Sequence, residues 1–184
     1  LGGGLGVIYA EERPQTAEEF AKKILPLFKG RSFRIIFEPG RFIVANAGAL
    51  VGQVLYIKQT NVKNFAIVDV AMNDLIRPAL YDAYHGVCPV IRNESLKKWV
   101  FDVVGPVCES GDVLAKDRHL QQLKKGDCLA ILSAGAYGFV MSSNYNSRPR
   151  ACEVLVHGKR FAIIRKRETI QDLLSGESIP EFLS

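Results

Sequence analysis

A cluster of glycines stands at the start of the sequence. Gly2, Gly3 and Gly4 are consecutive, and Gly6 follows after a single leucine. Backbone N–H groups with no neighbouring Cβ let an anion such as a phosphate approach closely. The cluster has neither the lysine-containing ending of a P-loop nor the spacing of a dinucleotide fingerprint. A phosphate-binding loop and an ordinary tight turn therefore both remain open.

An acidic and a basic residue stand close together in Glu38-Pro39-Gly40-Arg41. This motif follows Phe33–Phe37, a short apolar run that favours a β-strand. In α/β folds the active site collects at the carboxyl ends of strands, so we expect this turn to aim a carboxylate and a guanidinium into one cleft. A surface turn with an incidental ion pair is the alternative.

Two later loops hold further candidates for chemistry. Cys108, Glu109 and Asp112 lie in one short segment, where a thiol next to an acid can donate a proton. A buried, inert cysteine is the alternative. Tyr137 stands between small residues, so its phenol could project from a tight turn and hydrogen-bond a ligand. A tyrosine packed on a sheet is the alternative there.

The first part of the chain has the pattern of an α/β barrel or a doubly wound sheet. Thr16 and Glu19 form a capping-box pattern, and apolar residues recur at helical spacing from Phe20 to Phe28. The predicted strand Phe33–Phe37 follows this predicted helix. A glycine loop, a helix, a strand and a polar loop in this order are typical of alternating α/β folds.

Short predicted strands dominate after residue 46. We expect them at residues 54–58, 65–70, 99–104, 128–132, 152–156 and 161–165. Their spacing predicts an antiparallel β-barrel or sandwich over residues 47–184, with a hairpin around Gly158 and a closing helix at Thr169–Leu174. The small residues of Ala45–Val51 predict one further helix.

Length and composition exclude several classes of protein. The chain has 184 residues, of which 48% are hydrophobic and 23% charged. These values exclude a disordered chain, a collagen-like repeat and a small disulfide scaffold. A complete (β/α)8 barrel needs about 200 residues or more, so this chain cannot contain one. The net charge is +5, but the densest basic stretch flanks the apolar run Phe161–Ile164, which indicates solvated strand ends and no nucleic-acid surface.

Cysteine spacing and hydropathy narrow the class further. No Cys-x-x-Cys pair occurs among Cys88, Cys108, Cys128 and Cys152, so we expect no metal site and reduced thiols in a cytoplasmic protein. No uncharged apolar run approaches about 18 residues, so we expect no membrane span. We expect surface or turn positions for the histidines, which are His85, His119 and His157.

Taken in order, the motifs resemble those of the bacterial diaminopimelate decarboxylases, pyridoxal-phosphate-dependent enzymes with an alanine-racemase-like barrel. The resemblance rests on residues 2–6, 38–41, 77–81, 108–112, 135–138 and 145–150. It implies that the chain is the C-terminal part of such an enzyme, with the end of a (β/α)8 barrel at residues 1–46 and a β domain at residues 47–184. The implied reaction converts meso-2,6-diaminopimelate to L-lysine and CO2.

The resemblance also implies roles for single residues. The cofactor pyridoxal 5′-phosphate would be bound by Gly3, Gly4, Glu38, Pro39, Gly40, Arg41 and Tyr137. Glu38 would keep the pyridine nitrogen protonated. The substrate would be bound by Arg41, Arg77, Tyr81, Glu109 and Tyr137. Cys108 would donate the proton that replaces CO2.

Two alternatives remain open beside this family assignment. Ornithine and arginine decarboxylases share several motifs, but their substrates lack a second carboxylate, so Arg77, Tyr81 and Glu109 favour diaminopimelate. The resemblance implies a homodimer with an active site shared across the interface; an isolated, non-catalytic β or dimerisation module is the alternative. The lysine that binds the cofactor covalently lies on an early barrel strand in this family. No lysine here stands in such a strand, so we expect the chain alone to be inactive.

Overall fold

The computed structural model describes residues 4–183, and short helices form the part before residue 50. Helix α1 spans Ala17–Ile24 and continues as the 3-10 turn Leu25–Phe28. Helix α2 spans Gly40–Val44 and is followed by the 3-10 turn Ala45–Ala47. The predicted capping box is confirmed, because the Thr16 and Glu19 side chains each accept the other residue's backbone N–H.

Two predicted elements before the sheet are wrong. Phe33–Phe37 belongs to neither of the two sheets that the described residues form. Its apolar pattern satisfied the local requirement for a strand, but pairing into a sheet depends on residues elsewhere in the chain, which a local pattern does not show. The predicted helix Ala45–Val51 divides instead between a 3-10 turn and the first strand, because Leu50 and Val51 pair with the strand at Cys128–Ile131.

Six strands form one mixed sheet. Their bounds are β1 Leu50–Gln59, β2 Asn64–Val68, β3 Val87–Pro89, β4 Lys98–Val104, β5 Val113–Gln121 and β6 Cys128–Ile131, and helix α3, Arg77–Tyr81, lies between β2 and β3. The strand order is β3-β6-β1-β2-β4-β5. The two edge strands contact each other, so the sheet curls into a nearly closed barrel.

The prediction of a purely antiparallel β domain is wrong for one pair. β2 and β4 run parallel, with Asn64 opposite Phe101 and Ile67 opposite Val104, while the other four pairs in this sheet are antiparallel. A parallel neighbour needs a long crossover, and the connection from β2 to β4 carries α3 and β3. This crossover carries α3, which begins with the candidate site residue Arg77 and contacts β5.

The core fills the inside of the curled sheet. It is formed by Val54, Ala66, Val68, Leu75, Phe101, Val103, Leu114, Leu129 and Ile131, each at most 1% exposed. Each large apolar side chain buried in this way contributes roughly 1.5–3 kcal/mol. Sequence patterns missed β5, whose charged segment Lys116-Asp117-Arg118 hid its strand character.

A separate hairpin and a short helix complete the described chain. Strands β7, Glu153–His157, and β8, Arg160–Arg165, confirm the predicted hairpin, and Gly158 has a φ of +60° in its turn. Helix α4, Ile170–Leu174, confirms the predicted closing helix, which Thr169 caps. None of the helices within residues 4–183 has the length and apolar character needed to cross a membrane.

Candidate functional site

A small second core joins the N-terminal segment to the sheet. Val7, Ala45 and Ala136 are buried together, and Tyr9 packs against them. The backbones of Gly48 and Gly135 approach so closely that a Cβ on Gly48 would stand 2.6 Å from the Gly135 Cα. This contact places the turn that carries Tyr137 next to the end of α2.

The turn around Tyr137 holds its backbone in an uncommon conformation. Tyr137 has a φ of +59° and Ser133 a φ of +57°, in the left-handed region that non-glycine residues seldom adopt. A Cβ on Gly138 would overlap the carbonyl oxygen of Ala134, so the turn excludes a larger residue there. The Tyr137 side chain is 44% exposed, as expected for a phenol that projects from a tight turn.

The guanidinium of Arg77 lies beside this turn and is held from several sides. Arg77 begins α3 and is only 9% exposed. Its Nη1 lies 2.9 Å from Nε2 of His85. The guanidinium carbon lies 4.8 Å from the ring centroid of Tyr9 and 6.0 Å from that of Tyr137. The structure thus brings together two predicted site residues, Arg77 and Tyr137.

His85 and Tyr9 are the members of this cluster that sequence reasoning missed. The expectation of a surface or turn position for His85 is wrong, because its side chain is fully buried. Its Nδ1 lies 2.8 Å from the carbonyl oxygen of Leu132, and its ring meets that of Tyr9 edge to face at 5.4 Å. Burial lowers the pKa of His85, and the positive charges of Arg77 and Arg118 lower it further. Nothing in the spacing of the single histidines could have shown this burial.

The loop with Cys108 and Glu109 connects β4 to β5 and is anchored by Asp112. The buried Asp112 carboxylate accepts the backbone N–H groups of Met72 at 2.7 Å and Val107 at 2.8 Å. A side chain on Gly105 would collide with this carboxylate. Cys108 and Glu109 are exposed at the tip, so Asp112 serves to shape the loop that presents them.

No hydrogen bond among the described residues joins the Cys108 loop to the Arg77 cluster. A cavity of about 400 Å³ is lined by residues of α3, of the end of the loop and of β5, with Pro78, Asp82 and Gly111 in its wall. Neither Cys108 nor Arg77 lines this cavity.

The remaining predicted site residues lie on exposed surface. Tyr81 ends α3 and is 62% exposed. Glu38 and Arg41 are exposed around the start of α2, and their side chains form no hydrogen bond or ion pair with residues 4–183. Gly4 is exposed, whereas Gly3 lies outside the described residues. The structure therefore does not join these groups directly to the Arg77 cluster.

Family models match nearly three quarters of the chain. Residues 27–135 match the C-terminal sheet domain of pyridoxal-dependent decarboxylases, and residues 1–45 match their pyridoxal-binding domain. The chain is 56% identical over 179 residues to the diaminopimelate decarboxylase of Pseudomonas aeruginosa, covering 97% of this chain and 43% of that protein. The chain thus spans less than half the length of the curated relatives it matches.

Solved structures give the same family. A diaminopimelate decarboxylase from M. jannaschii superimposes with a TM-score of 0.94 at 40% identity, covering 100% of this chain and 43% of the other. The enzyme from Helicobacter pylori, complexed with L-lysine, gives a TM-score of 0.87 at 45% identity, and the match covers 94% of this chain and 42% of the other. The sheet, the preceding helices and the sequence matches together show that this chain belongs to the pyridoxal-dependent decarboxylases.

Proposed function

We propose that the whole protein decarboxylates meso-2,6-diaminopimelate to L-lysine and CO2 with pyridoxal phosphate as its cofactor. The observation that carries this proposal is the buried, oriented guanidinium of Arg77 beside the exposed phenol of Tyr137. A relative at 45% identity is described in complex with L-lysine, which retains one of the two carboxylates of diaminopimelate. Ornithine and arginine offer no second carboxylate for such a group.

Arg77 would bind the carboxylate that remains in the product. A guanidinium presents a planar fork of N–H donors that matches a carboxylate, and burial strengthens the interaction. Tyr81 at the other end of α3 and Arg41 on α2 would complete the substrate contacts. Tyr137 would touch both substrate and cofactor from its constrained turn.

The N-terminal residues fit pyridoxal phosphate by the chemistry of their groups. Apart from chain neighbours and the backbone of its own helix, no atom of the described residues lies within 4 Å of the position that a Cβ would take on Gly4 or Gly40, which leaves space for a phosphate there. Gly3, Pro39 and Arg41 would join them in binding the cofactor. The exposed Glu38 carboxylate would hold a proton on the ring nitrogen. When bound, the cofactor withdraws electrons from the carbon that loses CO2.

Cys108 and Glu109 would serve a site shared between two subunits. The Cys108 thiol would deliver a proton to the carbon from which CO2 has departed, and Glu109 would contact the distal amino group. The loop exposes Cys108 and Glu109 at its tip, which supports a homodimer in which each loop completes the partner's site. We propose that this homodimer is cytoplasmic. The end of a (β/α)8 barrel would then occupy residues 1–46 and the β domain residues 47–184.

Substrate comparison on the complete protein tests this function. Purified with pyridoxal phosphate, the protein should release CO2 and L-lysine from meso-diaminopimelate and turn over ornithine and arginine far more slowly. The 184-residue chain alone is the control and should be inactive. Preference for ornithine or arginine would contradict the proposal, and inactivity of the complete protein towards all three would favour a non-catalytic module.

A further inference from the structure

One buried histidine touches the group to which we assign substrate binding. His85 is 0% exposed, and its ring lies between the guanidinium of Arg77 and the carbonyl oxygen of Leu132. The backbone around it is fixed, because Leu132 N–H donates to the Gly86 carbonyl at 2.8 Å as the chain enters β3. A ring held at both nitrogens and by a neighbouring strand has little freedom to move.

The two partners of the ring determine where its proton lies. A guanidinium only donates hydrogen bonds, so Nε2, at 2.9 Å from Arg77 Nη1, must be the acceptor and carry no proton. A carbonyl oxygen only accepts, so Nδ1, at 2.8 Å from the Leu132 oxygen, must carry the proton. His85 therefore acts as an acceptor that points at Arg77.

The contacts leave part of the guanidinium available to a ligand. Tyr9 covers one face at 4.8 Å, and His85 takes a hydrogen bond from Nη1. Nε and Nη2 of Arg77 donate a hydrogen bond to no other described residue. Neither atom is among the buried polar atoms that lack a partner, so both remain accessible. The guanidinium is thus oriented through Nη1, while Nε and Nη2 can still donate to a ligand.

We propose that His85 is a positioning residue, which fixes the guanidinium of Arg77 in the orientation that receives the substrate carboxylate. This inference rests on the proposed function. Without the acceptor, the long arginine side chain would sample several rotamers, and binding a carboxylate would require it to lose that freedom. The effect belongs to binding of carboxylate-bearing ligands and not to the decarboxylation step.

Two substitutions separate the two hydrogen bonds of the ring. His85→Gln places an amide oxygen near the position of Nε2 and so keeps an acceptor for Arg77. His85→Asn places its amide near Nδ1, so it keeps a donor for Leu132 and loses the contact with Arg77. Both variants are made in the complete protein with its cofactor, and thermal denaturation confirms that each is folded.

The expected result is a difference between the variants in KM alone. His85→Asn should raise KM for meso-diaminopimelate about tenfold or more, the loss expected for one hydrogen bond to a charged group, with kcat changed less than about threefold. His85→Gln should stay within about threefold of the wild type in both. The Kd of L-lysine, measured by calorimetry, should rise in parallel with KM in His85→Asn.

A ligand without a carboxylate provides the control. 1,5-Diaminopentane has the amino groups of L-lysine but nothing for Arg77 to bind, so its Kd should be equal in all three proteins. Equal KM values for Asn and Gln variants, or an equal loss of 1,5-diaminopentane binding, would overturn the inference and assign His85 a structural role. A wild-type protein that fails to decarboxylate diaminopimelate would overturn the proposed function itself, and the inference with it.

Discussion

The curled sheet and the segment of residues 4–44 bury their apolar side chains to very different degrees. In the sheet, Phe101 and Leu129 are at most 1% exposed. In the segment, Leu27 is 69% exposed and Ile43 66% exposed, although both are as apolar as the sheet core. The sheet therefore stabilises itself within this chain, whereas the segment exposes a large apolar surface of the kind that marks an interaction site.

The candidate site residues also differ between these two regions, in how firmly their side chains are held. Arg77 is fixed by His85 and by the ring of Tyr9. Glu38 and Arg41, on the exposed segment, have no such supports among residues 4–183. Among the described residues, the candidate residue Arg77 is therefore preorganised, and the candidate residues Glu38 and Arg41 are not.

Core truncation should show the largest difference between the two regions. Phe101→Ala should lower the free energy of unfolding of this chain by about 3–5 kcal/mol, because it leaves a cavity in the packed core. Leu27→Ala, at a side chain that is 69% exposed, should change it by less than about 0.5 kcal/mol. Urea denaturation measures both. Similar losses for the two variants would remove the distinction between the regions.

Loosening the Cys108 loop should show that preorganisation extends beyond Arg77. Asp112→Asn replaces the charged acceptor of two backbone N–H groups with a weaker one. Small displacements of a reacting group cost as much as about 10²-fold in rate, so kcat of the complete protein should fall between about tenfold and that value. Asp117→Asn, at an exposed acid on β5, is the matched control. An unchanged kcat in Asp112→Asn would argue against an anchored loop.

A smaller effect on the free energy of unfolding, which depends on pH, should come from Glu168 in the segment that follows the sheet. The Arg150 backbone N–H and guanidinium, with the Asn144 amide, lower the pKa of Glu168 to about 2. Since this pKa lies below its ordinary value of 4.5, the stabilisation is complete above pH 4.5 and disappears as pH falls towards 2. Glu168→Gln should cost about 1–2 kcal/mol at pH 7.

Urea denaturation of wild type and Glu168→Gln at pH 7 and at pH 3 measures this dependence. The stability difference should be smaller at pH 3. A difference that is equal at both pH values would show that the carboxylate charge contributes nothing.

Local patterns predicted those features that depend on neighbouring residues in sequence. The Thr16 capping box, the hairpin at Gly158 and the strand containing Phe101 needed only short-range signals. Two further features depend on residues far away in sequence: whether Phe33–Phe37 joins a sheet, and the parallel pairing of β2 with β4. Such long-range pairing has no periodic signal in the local sequence.

The candidate site, like the fold, could be predicted from the sequence only in part. Arg77 and Tyr137 were predicted because a series of motifs, taken in order, resembles a known family, and the structure places them 6.0 Å apart, from guanidinium carbon to ring centroid. His85 and Tyr9 were missed, because a lone histidine and a lone tyrosine acquire meaning only when the fold places them against a guanidinium. Residues that support a site are thus harder to predict than those in its motifs.

The most direct test of substrate binding by Arg77 is KM for meso-diaminopimelate in the complete protein carrying Arg77→Ala. Losing a buried guanidinium that binds a carboxylate should cost about 2–5 kcal/mol, which raises KM at least about thirtyfold. Arg77→Lys keeps the positive charge but lacks the planar fork of donors, so its KM should lie between those of the wild type and Arg77→Ala. A KM equal to that of the wild type in a folded Arg77→Ala protein would contradict the assignment of diaminopimelate.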